Sequence, residues 1–138
     1  ASSAGKTLIH TAGVTDKQEI LFDNLPEQDK FLEAMAEAAS SVVKLFNGNI
    51  VYINVLKNIS IDCDCDCNAS LPCMQDIGIM ASLDPVAIDQ ACLDTIYNSN
   101  DSGKEKLIKR IESLHGIHTV ERAAELGIGS RDYEIIEI

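Results

Sequence analysis

The chain has 138 residues, 46% apolar and 24% charged, enough for one folded domain and unlike a disordered acidic tail. Eleven basic residues face 22 acidic ones, and the net charge of −11 argues against nucleic acid and anionic membrane surfaces as partners. No apolar run approaches the ~18 residues that span a bilayer.

In chain order, Lys6–Thr11 reads as a strand stopped by Gly13, and Glu19–Asp23 as a short second strand. A helix follows, with Pro26 at its first turn and Gly48 past its end. Its apolar stripe is Phe31, Met35, Ala38, Ala39, Val42, Val43 and Phe46, at helical spacing. Asn49–Leu56 is rich in β-branched residues and nearly continuous in apolar character, as a strand covered on both faces would be. Ile77–Ala81 reads as a second buried strand. Asp84-Pro85 opens a helix, with Asp84 as N-cap and Pro85 at the first helical position. Helices are expected over Lys104–His115 and Thr119–Leu126, and a closing strand over Tyr133–Ile138. The sum is an α/β fold, a single small domain with a mixed sheet of four to five strands and helices packed on it. The first residues, Ala1–Gly5, do not read as a signal peptide. Without an initiator Met, the expectation is one domain over 1–138 that is a fragment or the C-terminal part of a longer protein.

Composition does not account for the cysteines. Cys63, Cys65, Cys67 and Cys73 fall within eleven residues, and Cys92 lies apart on the apolar face of a helix, where a free cysteine packs as a small hydrophobe. An odd count with no secretory signal favours a reducing, cytoplasmic setting, where clustered thiols mean metal or redox chemistry. The three Asn-x-Ser sequons are then chance matches. Thiolates are soft ligands for zinc, copper(I) or iron–sulfur clusters. Residues two apart on an extended strand sit roughly 6.5–7 Å apart, so shared ligation of one metal requires the loop to curl. Asp62, Asp64 and Asp66 disfavour free thiolates, and a bound cation reverses that preference. The spacing matches no common zinc-ribbon or ferredoxin pattern. It fails as a calcium loop, with Cys67 where Gly belongs and Cys73 where Glu belongs.

His115 and His118 flank a helix end, where a histidine commonly caps. The sharper reading makes one of them a ligand beside the cysteines. Ala4-Gly5-Lys6-Thr7 lacks the earlier glycine of a phosphate loop, and Gly127-Ile128-Gly129 reads as a turn. Asp76 and Asp89 are the candidate acid/base carboxylates, with Asp89 expected to be the more buried.

The stretches Ile53-Asn54-Val55, Asp62-Cys63-Asp64-Cys65, Asp76-Ile77-Gly78-Ile79, Ala81 to Ala91 and Gly127 to Tyr133 together resemble the prokaryotic family catalogued as domain of unknown function 362. That family is often labelled an iron–sulfur centre protein. Many members carry a ferredoxin-like segment with two cluster motifs, and this chain has none. The resemblance implies a role for Cys63 and Cys65, for the acidic positions Asp76, Asp84 and Asp89, and for His115. Cys67 and Cys73 depart from the family pattern.

The leading expectation is a metal- or iron–sulfur-binding domain of a cytoplasmic redox-associated protein, with redox proteins as partners. Cys63, Cys65 and His115 are its ligands, Cys67, Cys73 and His118 its reserves, and the cofactor is an iron–sulfur cluster or zinc. The alternatives are a metal- or thiol-dependent enzyme acting on a small molecule, and an interaction module with a structural zinc or no metal.

Overall fold

A computed structural model describes residues 3–62 and 68–138. The elements are α1 (Ser3–His10), two 3-10 turns (Gln18–Ile20 and Phe22–Asn24), α2 (Gln28–Phe46), β1 (Tyr52–Leu56), β2 (Gly78–Ser82), α3 (Pro85–Asn98), α4 (Lys104–Ser113) and α5 (His118–Glu125). The α/β character holds. Among the described residues, however, the sheet has two antiparallel strands rather than four or five.

Three expected strands are absent for separate reasons. Lys6–Thr11 is helical through Lys6–His10, because Thr11 turns its hydrogen bonds back on the chain. Its amide and its hydroxyl both donate to the Thr7 carbonyl, at 3.0 and 2.9 Å. Thr7 and Thr11 are buried, α1 packs on α2, and the rings of His10 and Phe31 lie 5.2 Å apart. Helix packing thus outweighs a β-branched local preference. Glu19–Asp23 folds into the two tight turns, and the Asn24 side chain donates to the Ile20 carbonyl at 2.8 Å. Tyr133–Ile138 takes no regular structure. Tyr133 instead donates its hydroxyl to Asp94 on α3 at 2.7 Å.

The long helix α2 ends as expected, with Asn47 left-handed (φ 48°) and Gly48 following at φ 81°. Its buried face is different. Leu32, Ala36 and Ser40 are buried with Val43 partly so, while Met35, Val42 and Phe46 are exposed. The stripe is turned by about one residue, roughly 100°, because α2 lies on α1 and α5 rather than on a sheet.

In the sheet Ile53 pairs with Ala81, Asn54 with Met80 and Val55 with Ile79. Asn54 and Met80 point to α3, where Asn54 Nδ2 donates to Asp89 at 2.8 Å. The opposite face carries Ile53, Val55, Ile79 and Ala81 and is open. The strands therefore alternate instead of being buried on both sides.

Asp84 joins the halves of the fold. Its Oδ1 accepts from the Val86 and Ala87 amides at 2.8 and 2.9 Å, capping α3 as expected. Its Oδ2 accepts from the Ser130 amide at 2.9 Å, tying the 127–130 turn to the helix start. Gly129 is pressed so close that any Cβ would overlap the Asp84 carboxylate. Beneath this junction lies the core of Val86, Val120 and Ile128. Asp84→Ala removes both the cap and the turn anchor, so it should cost about 2–3 kcal/mol in denaturant unfolding. A loss below about 0.5 kcal/mol would contradict the assignment.

Candidate functional site

Cys63, Cys65 and Cys67 lie outside the described residues. The structure describes the frame on either side of them. After β1 the chain turns at Asn58, which has φ 51°. From there the two flanks are fastened rung by rung. Ile77 donates to the Leu56 carbonyl at 2.9 Å, and the Asn58 amide donates to Asp76 Oδ1 at 2.8 Å. The Cys73 amide donates to the Ile59 carbonyl at 2.7 Å, and the Ser70 amide to Asp62 Oδ2 at 3.2 Å. Ser60 adds a bond from its hydroxyl to the Asp62 carbonyl at 2.9 Å. These contacts make a stem that is closed, on either side of the cysteine run, by the bond between Ser70 and Asp62.

The stem is braced from the α3–α4 loop. Asp101 accepts from the Gln75 amide through Oδ2 and from the Gly103 amide through Oδ1, both at 2.8 Å. Gly103 lies against the Cys73 carbonyl so closely that a Cβ there would overlap it. Lys104 fixes the loop by donating to the Tyr97 and Ser99 carbonyls at 2.9 and 2.6 Å. Sequence reading did not find this brace. Its signal was Asp101-Ser102-Gly103 in a polar loop, an Asx-type turn pattern that gives no hint of what it touches.

The electrostatics suit a strut. The Ser70 side chain and amide hold the Asp62 carboxyl below the usual carboxylate range, with Arg110 adding to the effect. The Gln75 and Gly103 amides do the same for Asp101. Asp62 therefore spends its carboxylate on closing the loop. Cys73 is a half-buried free thiol at the foot of the stem. Cys92 is also free, lying 3.4 Å from Asn54 Nδ2 and 3.7 Å from Met80 Sδ, and burial pushes its thiol up. It packs between helix and sheet, as its position suggested.

The other candidates lie elsewhere. Asp76 is exposed and belongs to the stem, 4.0 Å from Lys57 Nζ. Asp89 is exposed rather than buried, since it sits at the rim where α3 meets β1. His115 is the left-handed residue after α4, at φ 51°, and its Nδ1 lies 2.7 Å from Asp29 at the start of α2. His118 Nε2 lies 3.3 Å from Glu33. Both histidines line an open cleft of about 360 Å³ with Asp29 and Glu121. Cys73 meets the N-terminal end of α4 and His115 follows its C-terminal end, about 15 Å apart along ten residues. The structure brings the two histidines together but not His115 to Cys73. Among the described residues, no group of three His, Cys, Asp or Glu side chains is set to hold a metal. Nor does any described helix have the length and apolarity to cross a membrane.

A family model described as a domain of unknown function, DUF362, matches residues 1–94. That span includes the cysteine run, Asp76, Asp84 and Asp89, and leaves His115 and the 127–133 turn outside it. No curated protein and no solved structure matches the chain.

The brace and the strut each yield an expected result. Gly103→Ala must push the Cys73 backbone away, so the Cys73 amide should exchange with deuterium at least about tenfold faster, since each 1.4 kcal/mol of lost local stability is tenfold. Unchanged exchange would show that the contact is not a brace. Because the folded carboxyls of Asp62 and Asp101 are depressed, their contribution is complete above the ordinary carboxylate value near 3.9. It is lost as pH falls through the folded values. Amide shifts of Ser70 and Gln75 should thus stay constant from neutral pH to about pH 4 and move only below it; movement near pH 6 would contradict this.

Proposed function

The chain belongs to the DUF362 family, and on that premise we propose that it is a metal- or iron–sulfur-binding domain of a redox-associated protein, built around the cysteine loop. Cys63 and Cys65 are the core ligands, Cys73 is the donor at the foot of the stem, and Cys67 is the reserve. The setting is a reducing compartment such as the cytoplasm. The observation that supports this reading is the stem. Its hydrogen bonds fix the chain on both sides of a run of three thiols and place a fourth thiol, Cys73, within the same frame.

The physical argument is one of donor chemistry and preorganisation. Four thiols within eleven residues fit a soft metal and suit hard cations poorly. A frame closed before the metal arrives lowers the ordering cost of binding. Asp62 is occupied by Ser70, so it braces the loop and is not a ligand. Asp64 and Asp66 add negative charge, which disfavours free thiolates and favours a bound cation. An iron–sulfur cluster supplies one-electron transfer when bound, whereas zinc supplies structural closure. His115 drops from the ligand set in this reading, because it is paired with Asp29 beyond the far end of α4.

Anaerobically purified protein should carry zinc, or iron with visible absorbance. Cys63→Ser with Cys65→Ser should lower bound metal at least about tenfold, and more than Cys92→Ser does. Metal-free wild type, or metal retained in the double variant, would contradict the proposal.

A further inference from the structure

Asn47 and Gly48 begin the joint between α2 and β1, away from the cysteine loop. Asn47 is the one asparagine of the sequence that is followed by glycine. It closes α2 in the left-handed region, at φ 48° and ψ 50°, and Gly48 follows at φ 81°. Both residues are exposed. Among the described residues the Asn47 side chain meets no partner, and the Gly48 amide donates to no acceptor. A Cβ built at Gly48 would stand in open space. The other asparagines are placed differently. The side-chain amides of Asn24, Asn49, Asn54 and Asn98 each donate a hydrogen bond, at 2.8, 3.0, 2.8 and 2.8 Å. Asn58, Asn68 and Asn100 precede Ile59, Ala69 and Asp101, each with a Cβ beside its amide nitrogen.

We propose that Asn47-Gly48 is a self-modification site, where the Gly48 amide displaces the Asn47 side-chain nitrogen and the residue becomes aspartate or isoaspartate. In the first step the Gly48 nitrogen gives up its proton and bonds to Asn47 Cγ. The Cγ–Nδ2 bond breaks, and Nδ2 leaves as ammonia with the proton that Gly48 lost. A five-membered imide closes. Water then opens the ring. Cleavage at Cγ returns an ordinary aspartyl peptide, and cleavage at the Asn47 carbonyl carbon leaves an isoaspartyl linkage. The conversion consumes one water and releases one ammonia, with no change of oxidation state. A nucleophile held next to its target gains by proximity what a free one lacks. Glycine favours the attack because no Cβ stands beside its nitrogen and its backbone turns freely. The nitrogen reaches Cγ once the Asn47 Cα–C bond rotates from its ψ of 50°. That rotation releases the two bonds from Asn49 to the Phe46 carbonyl, both 3.0 Å, a local opening far smaller than unfolding. Aspartate then sets a negative charge at the negative end of α2, and isoaspartate lengthens the chain between α2 and β1 by one backbone carbon. The site does not depend on what the cysteine loop binds.

Peptide mapping by mass spectrometry of the folded full chain, incubated at mildly alkaline pH, tests the proposal, with fragment ions placing each change at one residue. Asn47 should gain one mass unit at least about tenfold faster than any other asparagine of the chain. Its product should include isoaspartate, read as methyl transfer from S-adenosylmethionine by an isoaspartyl methyltransferase. Gly48→Ala should slow the conversion at least about tenfold. Alanine is strained at φ 81°, so a second variant leaves Asn47-Gly48 intact. Asn49→Ala removes a side-chain bond to the Phe46 carbonyl and should speed the conversion at least about twofold. An Asn47 that converts no faster than the other asparagines, a product of aspartate alone, or a rate indifferent to both variants would overturn the proposal.

Discussion

One carboxylate sets the geometry on which the rest of the molecule depends. Asp84 ends β2's exit loop, caps α3 with two hydrogen bonds and holds the Ser130 amide from the far end of the chain. That fixes where α3 begins. α3 in turn covers the inner face of the sheet and packs on α4 and α5. At its other end it delivers the loop that carries Asp101 and Gly103. The contact between Gly129 and Asp84 leaves no room for a side chain, so the turn and the helix start behave as one unit. Arg131 extends the seam, reaching Gln90 at 2.8 Å and Glu121 at 3.2 Å.

From this unit the positioning of the site follows. β1 and β2 project one long connection between them, and its flanks zip together from Leu56–Ile77 up to Asp62–Ser70. The stem would be a free two-stranded arm were it not braced at Gln75 and Cys73 by the α3–α4 loop. Small free hairpins are marginal in water. Fixing one flank to a helix-anchored loop is what lets a short stem hold the two ends of the cysteine run together. The acidic residues divide their labour accordingly. Asp62, Asp76 and Asp101 bind backbone amides of the stem, while Asp64 and Asp66 lie within the cysteine run itself.

Much of this was legible in the sequence where one short-range rule governs. Asp84-Pro85 announced a capped helix, Gly48 a helix end, and Cys92 on an apolar face a packed thiol. The family resemblance rested on specific stretches, and the family match includes most of them. What was not legible depends on which element packs on which. Thr7 and Thr11 have strand-like side chains, yet they are buried in α1 and in the turn that ends it, because α2 is there to receive them. The face of α2 was misjudged by one residue because its partners are helices. The evenly apolar strand Asn49–Leu56 looked covered on both sides, and among the described residues only its inner side has a cover. His115 could not be assigned from its neighbours in sequence, since Asp29 lies 86 residues away. The stem's brace was hidden for the same reason, with Asp101 acting 26 residues from Gln75.

The central claim is that the framed thiols hold a soft metal. X-ray absorption at the metal edge of the anaerobically isolated chain examines the bonds themselves. The account predicts a first shell dominated by sulfur, at about 2.3 Å if the metal is zinc or iron. A first shell made only of nitrogen and oxygen, or the absence of any metal edge, would contradict it.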